Sequence, residues 1–137
     1  MITERKTRIL FVDGDEISFQ VRQCIAKVLA NIPPIELLHA HDGNEALRVM
    51  EKQSPDVIVF DEEMNEDFKM VLDYIPEGHL PVLVQSNEEG LSEGEHKKGA
   101  VTAIRKNDSL DGLHYSLLVA IKLALQSVVA KENPLMH

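Results

Sequence analysis

Four consecutive apolar residues, Val57-Ile58-Val59-Phe60, end on a single carboxylate, Asp61. A run this short, rich in β-branched residues and without polar alternation, reads as a strand buried on both faces. Such strands belong to parallel sheets covered by helices, and ligands of open α/β sheets sit just beyond their carboxyl ends. The run therefore constrains both the architecture and the place where chemistry is expected.

Four further apolar runs share this character: Ile9-Leu10-Phe11-Val12, Ile35 to Ala40, Pro81-Val82-Leu83-Val84-Gln85 and Val101-Thr102-Ala103-Ile104. Helical spacing fills the intervals. Ile17, Val21, Cys24, Ile25 and Val28 predict a first helix over about 16–30 with this stripe, Cys24 included, facing the core. Asp42 to Asn44 supply N-cap candidates for a short second helix over Glu45 to Lys52. Phe68, Val71, Leu72 and Ile75 mark a third. Ser109 or Asp111 can cap a long last helix with Leu110, Leu113, Leu117, Ile121, Ala124 and Val128 on one stripe. Five strands alternating with helices predict a flavodoxin-like, three-layer α/β sandwich, its parallel sheet ordered 2-1-3-4-5. Only the connection from Glu88 to Lys98 is poor helix material, with glycines and one large apolar residue, and it is expected to be the most mobile internal segment.

The 137 residues amount to one domain, read as 1–130 with a tail over 131–137. The formal charge of −9 argues against nucleic acid as a direct partner, since phosphate binding needs a cationic face. Proteins or cations are the expected partners. One cysteine excludes an internal disulfide and fits a reducing compartment. The charged start has no apolar core of signal-peptide length, and no run is expected to reach the ~20 residues that cross a bilayer. The expected location is cytoplasmic. The six histidines are scattered without ligand spacing and are expected at the surface.

The predicted topology gathers polar groups on one sheet edge: Asp13 and Asp15 after the first strand, Asp61 after the third, Ser86 after the fourth and Lys106 after the fifth. Carboxylates from two adjacent strand ends make a hard-oxygen site suited to Mg²⁺. A hydroxyl and an ammonium beside them add donors that can position a phosphoryl group, and a carboxylate can be its nucleophile.

With these residues in place the chain resembles the receiver domain of bacterial two-component response regulators, in the manner of the chemotaxis regulators, over about residues 8–129. The resemblance lies in the Asp13-Gly14-Asp15-Glu16-Ile17 stretch, in Asp42-Gly43-Asn44-Glu45-Ala46-Leu47, in Pro55-Asp56 leading through Asp61 to Met64, in Pro81-Val82 followed by Ser86, and in Gly99-Ala100 followed by Lys106. It implies that Asp61 is a phosphoacceptor fed by a histidine kinase or phosphotransfer protein, with Ser86 sensing and Lys106 binding the phosphoryl group. It implies Mg²⁺ held by Asp13, Asp61 and the Glu63 backbone carbonyl, an output domain or protein as a further partner, homodimerisation as an option, and no catalysis beyond the domain's own phosphorylation and dephosphorylation. The chain departs from the family pattern in four places. Gly14 replaces the second acid, which makes metal binding weak unless Asp15 turns inward; Asn65 and Asn107 replace prolines; and Ala103 replaces the aromatic switch residue. These departures support a rival reading, a pseudo-receiver that keeps the fold for protein docking. A cofactor-binding flavodoxin-like protein is a third reading, disfavoured because no hydroxyl-rich or glycine-rich phosphate loop follows the first strand.

Overall fold

The computed structural model describes residues 6–29, 34–61, 65–75, 80–86, 102–107 and 109–132. Strands β1 (Thr7–Val12), β2 (Ile35–Ala40), β3 (Val57–Asp61), β4 (Val82–Ser86) and β5 (Thr102–Arg105) form one parallel sheet in the order β2-β1-β3-β4-β5. Helices α1 (Glu16–Val28), α2 (Gly43–Lys52), α3 (Asn65–Tyr74) and α4 (Leu110–Glu132) cover it. This is the predicted flavodoxin-like sandwich, and its strand order is the predicted one.

The apolar runs divide by the period of a strand. Leu10, Val12, Ile58, Phe60, Val82 and Val84 pack toward α2 and α3, where Ala46, Phe68 and Val71 are buried. Ile9, Phe11, Val57, Val59 and Leu83 pack toward α1 and α4, against Phe19, Leu117, Ala120, Ile121 and Ala124. Both faces of the central strands are thus dry, which is why their sequence shows no alternation. The α2 and α3 axes approach so closely that a Cβ on Gly43 would lie 2.5 Å from Met70 Cε and 2.9 Å from Asp67 Cβ. Only glycine fits at the start of α2.

Local chemistry sets the helix starts. Asp15 caps α1, accepting from Ser18 N–H at 3.0 Å and from the Ser18 hydroxyl at 2.6 Å. Asp42 caps α2 through Glu45 N–H at 2.8 Å, and Ser109 accepts from Gly112 N–H at 3.1 Å at the head of α4. At the opposite edge of the sheet, buried Asp56 exchanges bonds with Arg8, its carboxylate accepting from Arg8 N–H and its own N–H donating to the Arg8 carbonyl.

Four expectations need correction. The α1 stripe is rotated: Ile17 and Val28 are 75% and 79% exposed and Cys24 is exposed, whereas Ser18, Phe19 and Arg22 are buried and Ile25, Ala26 and Leu29 pack behind them. Leu110 lies outside the buried stripe of α4, at 66% exposure, because it stands at the helix's first position, ahead of the sheet contact. The 20 residues Leu110–Val129 do match a membrane span in length and apolarity, contrary to expectation, yet here Leu113, Leu117, Ala120, Ile121 and Ala124 seal one face of the sheet. Finally, α4 continues to Glu132, two residues into the segment read as a tail. The Glu88–Lys98 connection lies outside the described residues.

Candidate functional site: two partnered carboxylates at the sheet edge

Register brings the two principal acids side by side. Val12 pairs with Phe60, so Asp13 and Asp61 are the next residues on neighbouring chains, and Asp61 in turn pairs with Gln85. Both acids are buried, Asp13 at 4% and Asp61 at 8% exposure. Ser86, fully buried, ends β4, and its carbonyl accepts from Lys106 N–H at 2.7 Å. That backbone bond anchors the residue after β5 so that the Lys106 ammonium reaches Asp61 Oδ2 at 2.7 Å. The lysine side chain is 20% exposed, and an open cleft of about 620 Å³, lined by Arg105, Lys106, Asn107, Asp111, Gly112 and Tyr115, adjoins it.

Asp13 has different company. Its Oδ1 accepts from Asp15 N–H at 3.0 Å and from His39 Nε2 at 3.1 Å. Because His39 Nε2 also lies 3.1 Å from the Asp13 carbonyl, which can only accept, Nε2 carries the hydrogen. The imidazole stacks on Phe19 with centroids 4.4 Å apart, and this histidine is half-buried, its side chain 9% exposed, rather than at the surface as expected. Asp13 Oδ2 faces Arg22 Nη1 at 3.6 Å. Arg22 is itself only 2% exposed; its Nη2 donates to Gln85 Oε1 at 3.0 Å and to the Ser116 hydroxyl at 3.3 Å, and its guanidinium lies 4.5 Å over the Phe11 ring. Sequence reasoning missed both Arg22 and His39 as partners of Asp13. The available signal was spacing: Ser18, Arg22 and Leu29 share a helical face with Phe19 and Ala26.

No family model matches the chain. A protein-glutamate methylesterase/protein-glutamine glutaminase of Geobacter sulfurreducens is 26% identical over 144 residues, covering 94% of this chain, which spans 38% of that relative's length. The response regulator domain of Thermotoga maritima CheB superposes with a TM-score of 0.65 at 26% identity, covering 89% of this chain and 98% of the other. The Mn²⁺-bound form of the response regulator Rcp1 superposes at 0.61 over 81% of this chain and 88% of the other, and its 19% identity makes it a likeness of fold. The chain has the receiver fold of response regulators.

Within that receiver fold, Asp13, Asp61, Ser86 and Lys106 share the edge predicted for them, and Glu63 lies outside the described residues. Asp15 is taken up as the cap of α1: its bonds to the Ser18 hydroxyl and N–H hold its carboxyl below the ordinary value, partly offset by burial, with Lys106 adding attraction. The position of Gly14 is open: among the described residues other than its chain neighbours, no atom comes within 4 Å of where a Cβ would stand. Among the described residues no three His, Cys, Asp or Glu side chains converge as metal ligands. Asp13 does not fit the ligand role assigned by resemblance, because one oxygen receives two N–H donors and the other faces a guanidinium. Ala103, on β5, is partly buried against the α2 and α3 core cluster and carries no ring to rotate.

Proposed function

We propose that this chain is a phosphoacceptor signalling module in which Asp61 takes a phosphoryl group from the phosphohistidine of a cytoplasmic kinase or phosphotransfer protein. The observation that carries the reading is the 2.7 Å contact of Lys106 Nζ with Asp61 Oδ2 at the end of the central strand, with Ser86 ending the next strand. Electrons on a carboxylate oxygen form the new O–P bond as the P–N bond breaks; the P–N pair stays on the ring nitrogen, and the ring, carrying a hydrogen on its other nitrogen, leaves as neutral imidazole. The Lys106 ammonium compensates charge on the equatorial phosphoryl oxygens, and the Ser86 hydroxyl offers them a donor. The 26% likeness to the CheB response regulator domain supports the same reading.

A second reading, a docking domain that keeps the fold without efficient phosphorylation, is favoured by one feature: Asp13 is engaged by Arg22 and His39, and Gly14 adds no carboxylate beside it. Rcp1 is described as binding Mn²⁺; on this chain the corresponding divalent site would have to displace those partners. Incubation with acetyl phosphate or phosphoramidate, with Mg²⁺ and with EDTA, followed by intact mass separates the two. Addition of one phosphoryl group that is absent from Asp61→Asn is the expected result. No addition under any condition leaves the docking domain as the function.

A further inference from the structure

We infer that Arg22 is a built-in counter-ion for the acidic edge, standing in for a divalent metal and keeping it off Asp13. The inference rests on reading the Asp13–Asp61 edge as a receiver-type site, but it concerns cation binding and not phosphoryl transfer.

An arginine remains charged at any pH a folded protein meets, and burying its charge is costly unless an anion and hydrogen-bond acceptors receive it. Arg22 meets both conditions. Asp13 Oδ2 supplies the anion at 3.6 Å; Gln85 Oε1 and the Ser116 hydroxyl oxygen supply acceptors; and the Phe11 ring lies beneath the guanidinium plane. The Ser116 hydroxyl hydrogen is directed to the Leu113 carbonyl at 3.0 Å, which leaves its lone pairs for Nη2 and Nε, at 3.3 and 3.4 Å. The guanidinium is thereby fixed by three elements besides its own: the end of β1, β4 and α4.

Local charge then works against a metal at Asp13. Among the described residues Asp13 faces the Arg22 guanidinium and Asp61 the Lys106 ammonium. A divalent cation binds such a site by neutralising carboxylates, and at Asp13 a fixed positive charge already stands where it would approach. It would also have to take an Asp13 oxygen from its present donors and then remain beside a guanidinium that Gln85 and Ser116 hold in place. His39 Nε2–H on Oδ1 closes the other approach. Position 14, next to Asp13, adds no carboxylate, because it is a glycine.

The test is isothermal calorimetry and thermal unfolding of the intact chain with Mg²⁺ and, separately, Mn²⁺, with no phosphodonor present. Wild type should show no saturable binding and no metal-dependent change in Tm. Arg22→Leu should leave Asp13 as an uncompensated carboxylate and gain a metal site, binding at least ~10-fold tighter than wild type, the scale on which partners around a metal ligand act. In the double variant Asp13→Asn/Arg22→Leu that gain should vanish. Should Arg22→Leu fail to fold, Asp13→Asn alone gives the answer: its metal response should equal that of wild type. The inference is overturned if wild type binds Mg²⁺ saturably and Asp13→Asn removes the binding, or if folded Arg22→Leu gains none. Failure to phosphorylate Asp61 would leave all of these outcomes unaffected, so the two readings fail separately.

Discussion

Two carboxylates stand next to each other on neighbouring strands, and each is neutralised by a different sort of cation. Asp61 has a lysine that arrives from a loop, is partly exposed and makes a 2.7 Å contact beside an open cleft. Asp13 has a buried arginine from α1 and a half-buried histidine from β2, braced by Phe11, Phe19, Gln85 and Ser116. A flexible, solvent-reachable ammonium can let go of its carboxylate and follow a phosphoryl oxygen. A guanidinium locked among three elements cannot. The difference separates an acid built to react from an acid built to stay as it is.

The sharpest way to break this contrast is to ask where a phosphoryl group goes. Asp61→Asn should abolish addition from acyl-phosphate donors as read by intact mass, whereas labelling that persists there and disappears in Asp13→Asn would reverse the roles of the two acids.

Stability should follow the burial of each pair. Removing one partner of a buried ion pair typically costs about 3–5 kcal/mol, so Arg22→Leu should lower the urea unfolding free energy by that order, with partial recovery in Asp13→Asn/Arg22→Leu. Lys106→Ala removes the shorter contact and leaves Asp61 buried, and should cost about 1.5–3 kcal/mol, less than Arg22→Leu because the lysine side chain is partly exposed. Equal losses would mean that burial is not what distinguishes the two arms.

Gly112→Ala tests whether the lysine arm can be disturbed alone. A Cβ at position 112 would stand 2.4 Å from the Asn107 carbonyl oxygen and from Asn107 Cγ, so the segment carrying Lys106 must shift. The expected cost is about 1–3 kcal/mol, with slower labelling of Asp61. Near-ultraviolet and NMR signals of His39 and Phe19 should stay in place.

The smallest effect concerns Asp15, which belongs to neither pair. Its carboxyl is lowered in the folded state, so its contribution is fully present above the ordinary carboxylate value of ~3.9 and is lost as pH falls through the lowered folded value. Asp15→Ala should cost ~1 kcal/mol near neutral pH, the usual size of a lost N-cap, and nothing at strongly acid pH. A cost that does not change with pH would remove the cap from the account.

The sheet was readable because its strands are apolar on both faces, so the runs at Ile9 to Val12, Val57 to Phe60 and Val82 to Val84 stand out without any partner information. The lysine arm was readable for a related reason: Asp61, Ser86 and Lys106 come just at or after strand ends, where topology alone brings them to one edge. The arginine arm was not. Counting apolar residues along α1 selects Ile17, Val21, Cys24 and Val28, and the face that packs on the sheet instead contains Ser18 and Arg22, which such counting assigns to solvent. Polar residues enter a core when a specific anion and specific acceptors await them, and those reside at positions 13, 85 and 116, far away in sequence. His39 was hidden in the same way, in a strand otherwise read as apolar, with its acceptor 26 residues earlier.

The hydroxyl that braces Arg22 comes from Ser116, 94 residues farther along the chain. Contacts of such separation are entropically late, because a long loop must close before they return anything. During synthesis the carboxylate at residue 13 and the guanidinium at residue 22 therefore emerge early but stay hydrated until β4 and the last helix are available to enclose them. Truncations that end before α4 should leave the first acid in water with its arginine, and the asymmetry between the two carboxylates, absent from the nascent chain, is acquired only when the C-terminal helix docks.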